Sequence, residues 1–230
     1  TGGKLMAPPS QSGFLHWKLH PDYTVHNDLQ MSLFSDLDLY TVFSFYRSQN
    51  GLANTLGQYR PDYIAAEKKN GGFRKLIKEH PEYVPVFAGD MQILYANKEL
   101  HPELADRHGL KLVDPFSLAE VNKGIELDSH IAELERMLAI FPESDRINHT
   151  ITRLLFNAKR FYEALPWAKR FVHYHPENPN SHYLLGNIME NTGACDQAIA
   201  HYQTAKHYSD VKFKRVLDTQ IGSCYYALEA

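Results

Sequence analysis

The sequence predicts a small α/β domain over residues 1–115, a mixed and mostly parallel sheet with helices on it. An all-α domain of helical repeats follows over residues 116–230. Three observations predict this. Up to residue 115, short β-rich runs alternate with amphipathic stretches. From residue 117 onward the apolar spacing is helical, with few strand signals. Finally, SHYLLGNIMENTGACDQAIAHYQTAKHYSD at 181–210 falls on residues 147–176 when shifted back by 34.

In the first part, KLMAP is a short β-type run, and SQSGFLHWKLH reads as a helix that Ser10 or Ser12 could cap. DYTVHND follows Pro21 as a second strand. SDLDLYTVFSFYRS, with an acidic first turn and an apolar face, is a helix. GLANTLGQYRP is a shorter helix closed by Pro61, DYIAAEK a strand and GGFRKLIKEHP a helix. YVPVFAGDMQILYANKE splits at AGD into two strands of a hairpin. Strand–helix alternation with a terminal hairpin gives a mostly parallel sheet with an antiparallel edge. LHPELADRHGLKLVDPF then runs over the surface to a boundary near Pro115.

In the second part, Ala198 falls on Ala164, Ile199 on Leu165, Tyr202 on Ala168 and Ala205 on Phe171 after the 34-residue shift. A further shift carries Pro176 onto Pro142. Glycine inside a helix costs about 1 kcal/mol relative to alanine, so Gly186 implies a helix that something approaches closely. Leu184-Leu185-Gly186, Gly193, Ala198, Tyr202 and Ala205 resemble the tetratricopeptide repeat family at its small and bulky positions. The likeness covers about 117–230 and is clearest in units 144–178 and 179–212, with partial units on either side. It implies stacked antiparallel helix pairs, with Gly186 meeting Ala198 inside one pair. In that family the first helix of each unit lines a concave groove. The register implies a peptide-binding face of His149, Arg153 and Asn157 from one unit and Tyr183, Asn187 and Asn191 from the next.

The first part has its own resemblance. Gly13-Phe14-Leu15-His16-Trp17, the run Val25 to Asp28, Tyr40, Tyr59 to Ile64 and Leu94-Tyr95 are similar in pattern to a bacterial membrane-protein tail. That tail is the soluble C-terminal part of polytopic glycosyltransferase-like proteins. Where that family has Asp followed by Gly-Arg, this chain has Asp28-Leu29-Gln30. The resemblance implies a non-catalytic module on the periplasmic or extracytoplasmic face of the inner membrane, the chemistry lying in the embedded part. Without it, a cytoplasmic setting is the alternative.

Composition narrows the classes. Of 230 residues, 43% are hydrophobic and 22% charged, a globular balance. Net charge is −3, and both halves are nearly neutral, which excludes a nucleic-acid partner held by bulk charge. No apolar run reaches the ~18 residues of a membrane span, so a membrane enters only through a segment upstream; TGGKLMAPPS lacks an initiator Met and reads as the start of a fragment. There is no GxGxxG after a strand and no GxxxxGK[ST], and no cofactor is expected. Asn70-Gly71-Gly72 reads as an ordinary loop into a helix. His16 and His20 have metal-type spacing but no third ligand, so no metal is expected. His26, Asn27 and Asp28, ending the second strand, form a possible small-ligand site, because ligands of open α/β sheets gather at strand carboxyl ends. Cys195 and Cys224 read as two buried thiols. The register also sets them in touching units, where a bridge is geometrically allowed.

The sequence therefore points to a non-catalytic extramembrane module of a larger, membrane-anchored protein that binds a protein or peptide through its repeats. The alternative is an enzyme domain in the α/β half with the repeats as a regulatory or scaffolding appendage.

Overall fold

A computed structural model describes residues 2–26, 35–121 and 125–229, with eleven helices and five strands among them. The chain divides into two units, Thr1–Ser117 and Leu118–Ala230.

In the first unit, β1 (Gly3–Met6), α1 (Pro9–Leu19), β2 (Tyr23–Val25), α2 (Asp36–Phe45), α3 (Gln49–Tyr59) and β3 (Tyr63–Glu67) come first. They are followed by α4 (Gly71–Ile77), β4 (Tyr83–Ala88), β5 (Gln92–Asn97) and α5 (Pro102–His108). The five-stranded sheet has the order β2-β1-β3-β5-β4. β1 pairs in parallel with β2 and β3, and β5 pairs antiparallel with both β3 and β4. Four strands thus share one direction and β5 opposes them, so the sheet is mixed. The β4–β5 turn is closed by Gly89 N–H donating to Gln92 O at 2.9 Å. β4 carries Pro85, and its register shifts between Pro85 and Phe87; proline sits at sheet edges because it lacks an N–H for the ladder.

Local chemistry sets the helix starts. Ser35 and Asp38 close a capping box on α2, Ser48 caps α3 and Asn70 caps α4. Phe45, Tyr46, Phe73 and Tyr95 cluster beneath the helices, with ring centroids 4.8–6.2 Å apart. One expectation needs correction. Residues 102–108 are not a bare surface run but helix α5, begun by Pro102 at its first turn with Glu103 behind it.

The second unit holds α6 (Leu127–Ile140), α7 (Asp145–Asn157), α8 (Phe161–Tyr174), α9 (Pro179–Asn191), α10 (Cys195–His207) and α11 (Val211–Glu229). Each helix packs on the next, and α7 also touches α9. The starts of α7 and α9, and those of α8 and α10, lie 34 residues apart. α6 begins 34 residues before α8, so it occupies a second-helix place. Asn178 ties neighbouring units together: its Oδ1 caps α9 and its Nδ2 donates to Asp145 Oδ1 at 2.8 Å.

Gly186 does face a close neighbour, and the atoms nearest to it belong to the Tyr202 ring. A Cβ at Gly186 would stand 2.5 Å from a Tyr202 ring carbon. Ala198, one turn before Tyr202 on α10, is fully buried as well. Both cysteines are buried free thiols. Burial, then a hydrogen bond with Cys195, pushes the Cys224 thiol up to about 12.

Candidate functional site

The first helices α7 and α9 carry the six positions expected to face a peptide. Arg153 and Asn157 are exposed on α7, and Asn191 is exposed on α9. Asn191 Nδ2 donates to Asn187 O at 2.8 Å, the back-bond of an amide one helical turn away. His149 is half-buried, its ring edge-on to Phe171 with centroids 5.8 Å apart. Burial first, and then the Arg153 guanidinium, lowers its pKa. Tyr183 is half-buried between the rings of Phe213, at 5.2 Å, and Tyr202, at 6.2 Å.

Asn187 departs from the expectation of a face free of packing duties. It is buried, and its Oδ1 lies 2.7 Å from the Tyr202 hydroxyl. The same hydroxyl lies 2.6 Å from Glu190 Oε2, so one proton serves two acceptors. Burial and then Glu190 raise the Tyr202 pKa strongly, which keeps the phenol protonated as a donor. Asn187 is thus committed to holding α9 against α10.

Glu190 was not among the expected residues. Its Oε1 accepts from Ser223 Oγ at 3.1 Å while Oε2 meets Tyr202, so one carboxylate joins α9, α10 and α11. The available signal was its place three residues after Asn187, on the same side of the helix. The accessible chemistry of this strip is therefore Arg153, Asn157 and Asn191, all hydrogen-bond donors suited to a peptide carbonyl or carboxylate.

In the first unit, His26 is half-buried at the end of β2. Its N–H donates to Leu5 O at 3.0 Å, and its ring packs 4.3 Å from that of Tyr59. Burial lowers its pKa, opposed by the Asp38 carboxylate. Asn27 and Asp28, the other members of that candidate site, lie outside the described residues. His16 and His20 stack on one another with centroids 5.7 Å apart. Among the described residues no group of three His, Cys, Asp or Glu side chains is placed to hold a metal ion. No described helix is long and apolar enough to cross a membrane. Asn70 Oδ1 accepts the Phe73 N–H at 3.1 Å, so the glycine pair opens a capped helix.

The second unit is built from helix–turn–helix pairs 34 residues apart, the later of which packs Gly186 against the Tyr202 ring. That spacing is the one the resemblance to tetratricopeptide repeats implies. No family model matches the chain, and no curated protein matches it. Among solved structures it is similar to MamA. A crystal structure of MamA protein aligns at 15% identity over 83% of this chain and 84% of that one, with a TM-score of 0.41. MamA AMB-1 aligns at 22% identity over 44% of this chain and 59% of that one, TM-score 0.40. MamA from Desulfovibrio magneticus RS-1 aligns at 17% over 45% and 63%, TM-score 0.35. The last two matches span less than two thirds of the MamA chains. The repeat rests on the chain's own 34-residue spacing.

Proposed function

We propose that this chain is a non-catalytic binding module whose repeats hold a protein or peptide segment along α7 and α9. The observation that carries the reading is the exposed donor set Arg153, Asn157 and Asn191 on first helices whose other faces are packed. A rigid stack presenting donors on one strip matches an extended chain, whose backbone offers acceptors at regular intervals. Selection from a random peptide library on the purified chain tests this. Enriched peptides should lose about tenfold in affinity to Arg153→Ala, the weight of one charge-assisted contact. They should keep it in Lys169→Ala on α8. Equal binding to the parent and to a folded Arg153→Ala, Asn157→Ala variant overturns the assignment.

The membrane-anchored, extracytoplasmic setting is supported by the resemblance of residues 13–95 to tails of polytopic glycosyltransferase-like proteins. Fractionation of cells making the whole gene product tests it: the chain should sediment with membranes and be cleaved by protease added outside the inner membrane. Recovery in the soluble cytoplasmic fraction overturns it.

A further inference from the structure

The sheet order creates a crevice whose lining does not include His26. From β1 the chain crosses through α1 to β2, and from β3 it crosses through α4 to β4, on the other side of the sheet. β1 and β3 are neighbours, so the loops at their carboxyl ends lead away from each other. Such a switch point is where open α/β sheets bind ligands. Here the parting loops and the end of α2 enclose a cleft of about 210 Å³. It is smaller than the roughly 300–1,000 Å³ of sites for drug-sized ligands and matches a body the size of an amino acid.

Its lining has one anion and one cation. Glu67, at the end of β3, has a side chain only 23% exposed. Its Oε1 accepts from Ser10 Oγ at 3.1 Å, and its Oε2 lies 3.2 Å from Lys69 Nζ. Two single contacts leave acceptor positions on a carboxylate that can take about four. Arg47 follows α2 and lies over the Phe43 ring, 5.5 Å from its centroid. Among the described residues no carboxylate pairs with Arg47. Phe43 and Pro9 add apolar wall between the charges.

We infer that this cleft binds a small zwitterion of amino-acid size, its ammonium on Glu67, its carboxylate on Arg47 and its apolar body against Phe43. The pairing gives Arg47 a carboxylate partner and adds a second cation to Glu67, beside Lys69. An anion alone would face Glu67, and a cation alone would leave Arg47 unmatched. A nearly neutral lining selects a neutral ligand with separated charges.

Isothermal titration calorimetry of the intact chain with glycine, L-alanine, L-valine and L-leucine tests the inference. At least one should give saturable binding. For the valine skeleton, isobutylamine and 3-methylbutanoate each lack one charge, and each should bind about tenfold more weakly, one lost charge-assisted contact. Arg47→Ala and Glu67→Gln should each weaken binding of the best amino acid by about tenfold or more, with the melting temperature unchanged. No saturable heat up to about 10 mM with any of the four overturns the site. Isobutylamine binding as tightly as valine overturns the zwitterion in favour of a simple cation, and undiminished binding by folded Arg47→Ala does the same.

Discussion

The repeat units 144–178 and 179–212 solve the same packing problem with opposite distributions of volume. In the later unit the first helix gives up its side chain at Gly186, and the second fills the space with Tyr202. In the earlier unit the equivalent positions are Thr152 and Ala168, both fully buried. Thr152 Oγ1 donates to Asn148 O at 2.8 Å, satisfying its own hydroxyl within the helix. The difference reaches the surface. A tyrosine brings a hydroxyl that needs an acceptor, and Asn187 is drawn inward to supply one. Alanine brings none, and Arg153, the counterpart of Asn187, stays exposed. A choice made inside the helix pair thus decides which strip residue is available to a partner.

The sharpest way to break this comparison is Gly186→Ala. A methyl 2.5 Å from the Tyr202 ring must displace it, so we expect a net loss of about 2 kcal/mol despite better helix propensity. Combining Gly186→Thr with Tyr202→Ala copies the earlier unit. Its cost in chemical denaturation should fall short of the summed single changes by about 1 kcal/mol or more. Strict additivity would show that the two positions do not share one volume.

Next in size, Asn187→Ala should destabilise by about 1 kcal/mol, because a buried hydroxyl loses an acceptor while Glu190 remains. Arg153→Ala should change stability by less than about 0.5 kcal/mol. Equal costs measured by urea titration would contradict the assignment of one residue to packing and the other to the surface.

The turns differ as well. Gly193 has φ +84°, and Lys159, 34 residues earlier, has φ +59°. Only glycine takes that conformation without steric cost. Lys159→Gly should therefore raise stability by about 0.5–1 kcal/mol, whereas Gly193→Ala should lower it. A neutral Lys159→Gly in thermal melts would mean the earlier turn is relaxed by other means.

The smallest effect is pH dependence. Burial lowers the pKa of His149 on α7, and burial followed by His182 lowers that of His201 on α10. The unfolded chain binds these protons near the ordinary value of about 6.5, above the folded values. The stability contribution is present above that pH and is lost as pH falls through the folded pKa values. Melting temperature should fall from pH 7 toward pH 5, with a weaker slope in a His149→Gln, His201→Gln variant. An unchanged slope in that variant places the titration on other groups.

The spacing of the helix pairs was readable because it is written in side-chain size, Gly186, Ala198 and Ala205 against Leu185 and Tyr202. The hairpin at Ala88-Gly89-Asp90 was readable because turn chemistry is local. Helix α5 carried Pro102 and Glu103 as start signals, but seven residues are too few for periodicity to register. The burial of Asn187 was not readable, since it depends on a hydroxyl fifteen residues away on another helix. Nor was the crevice beside Glu67, which is a product of strand order rather than of any motif.

Pro85 and the irregularity beside it have a consequence for how the protein behaves at high concentration. A sheet with open margins offers unpaired backbone groups to any second chain, the usual seed of fibrils and precipitates. One margin here, β2, is only three residues long. The other, β4, lacks a donor at Pro85, and the Pro85 carbonyl is occupied by the Leu110 N–H at 2.7 Å. Neither margin offers a long, regular row for another strand to copy, so the sheet resists templated growth from both sides.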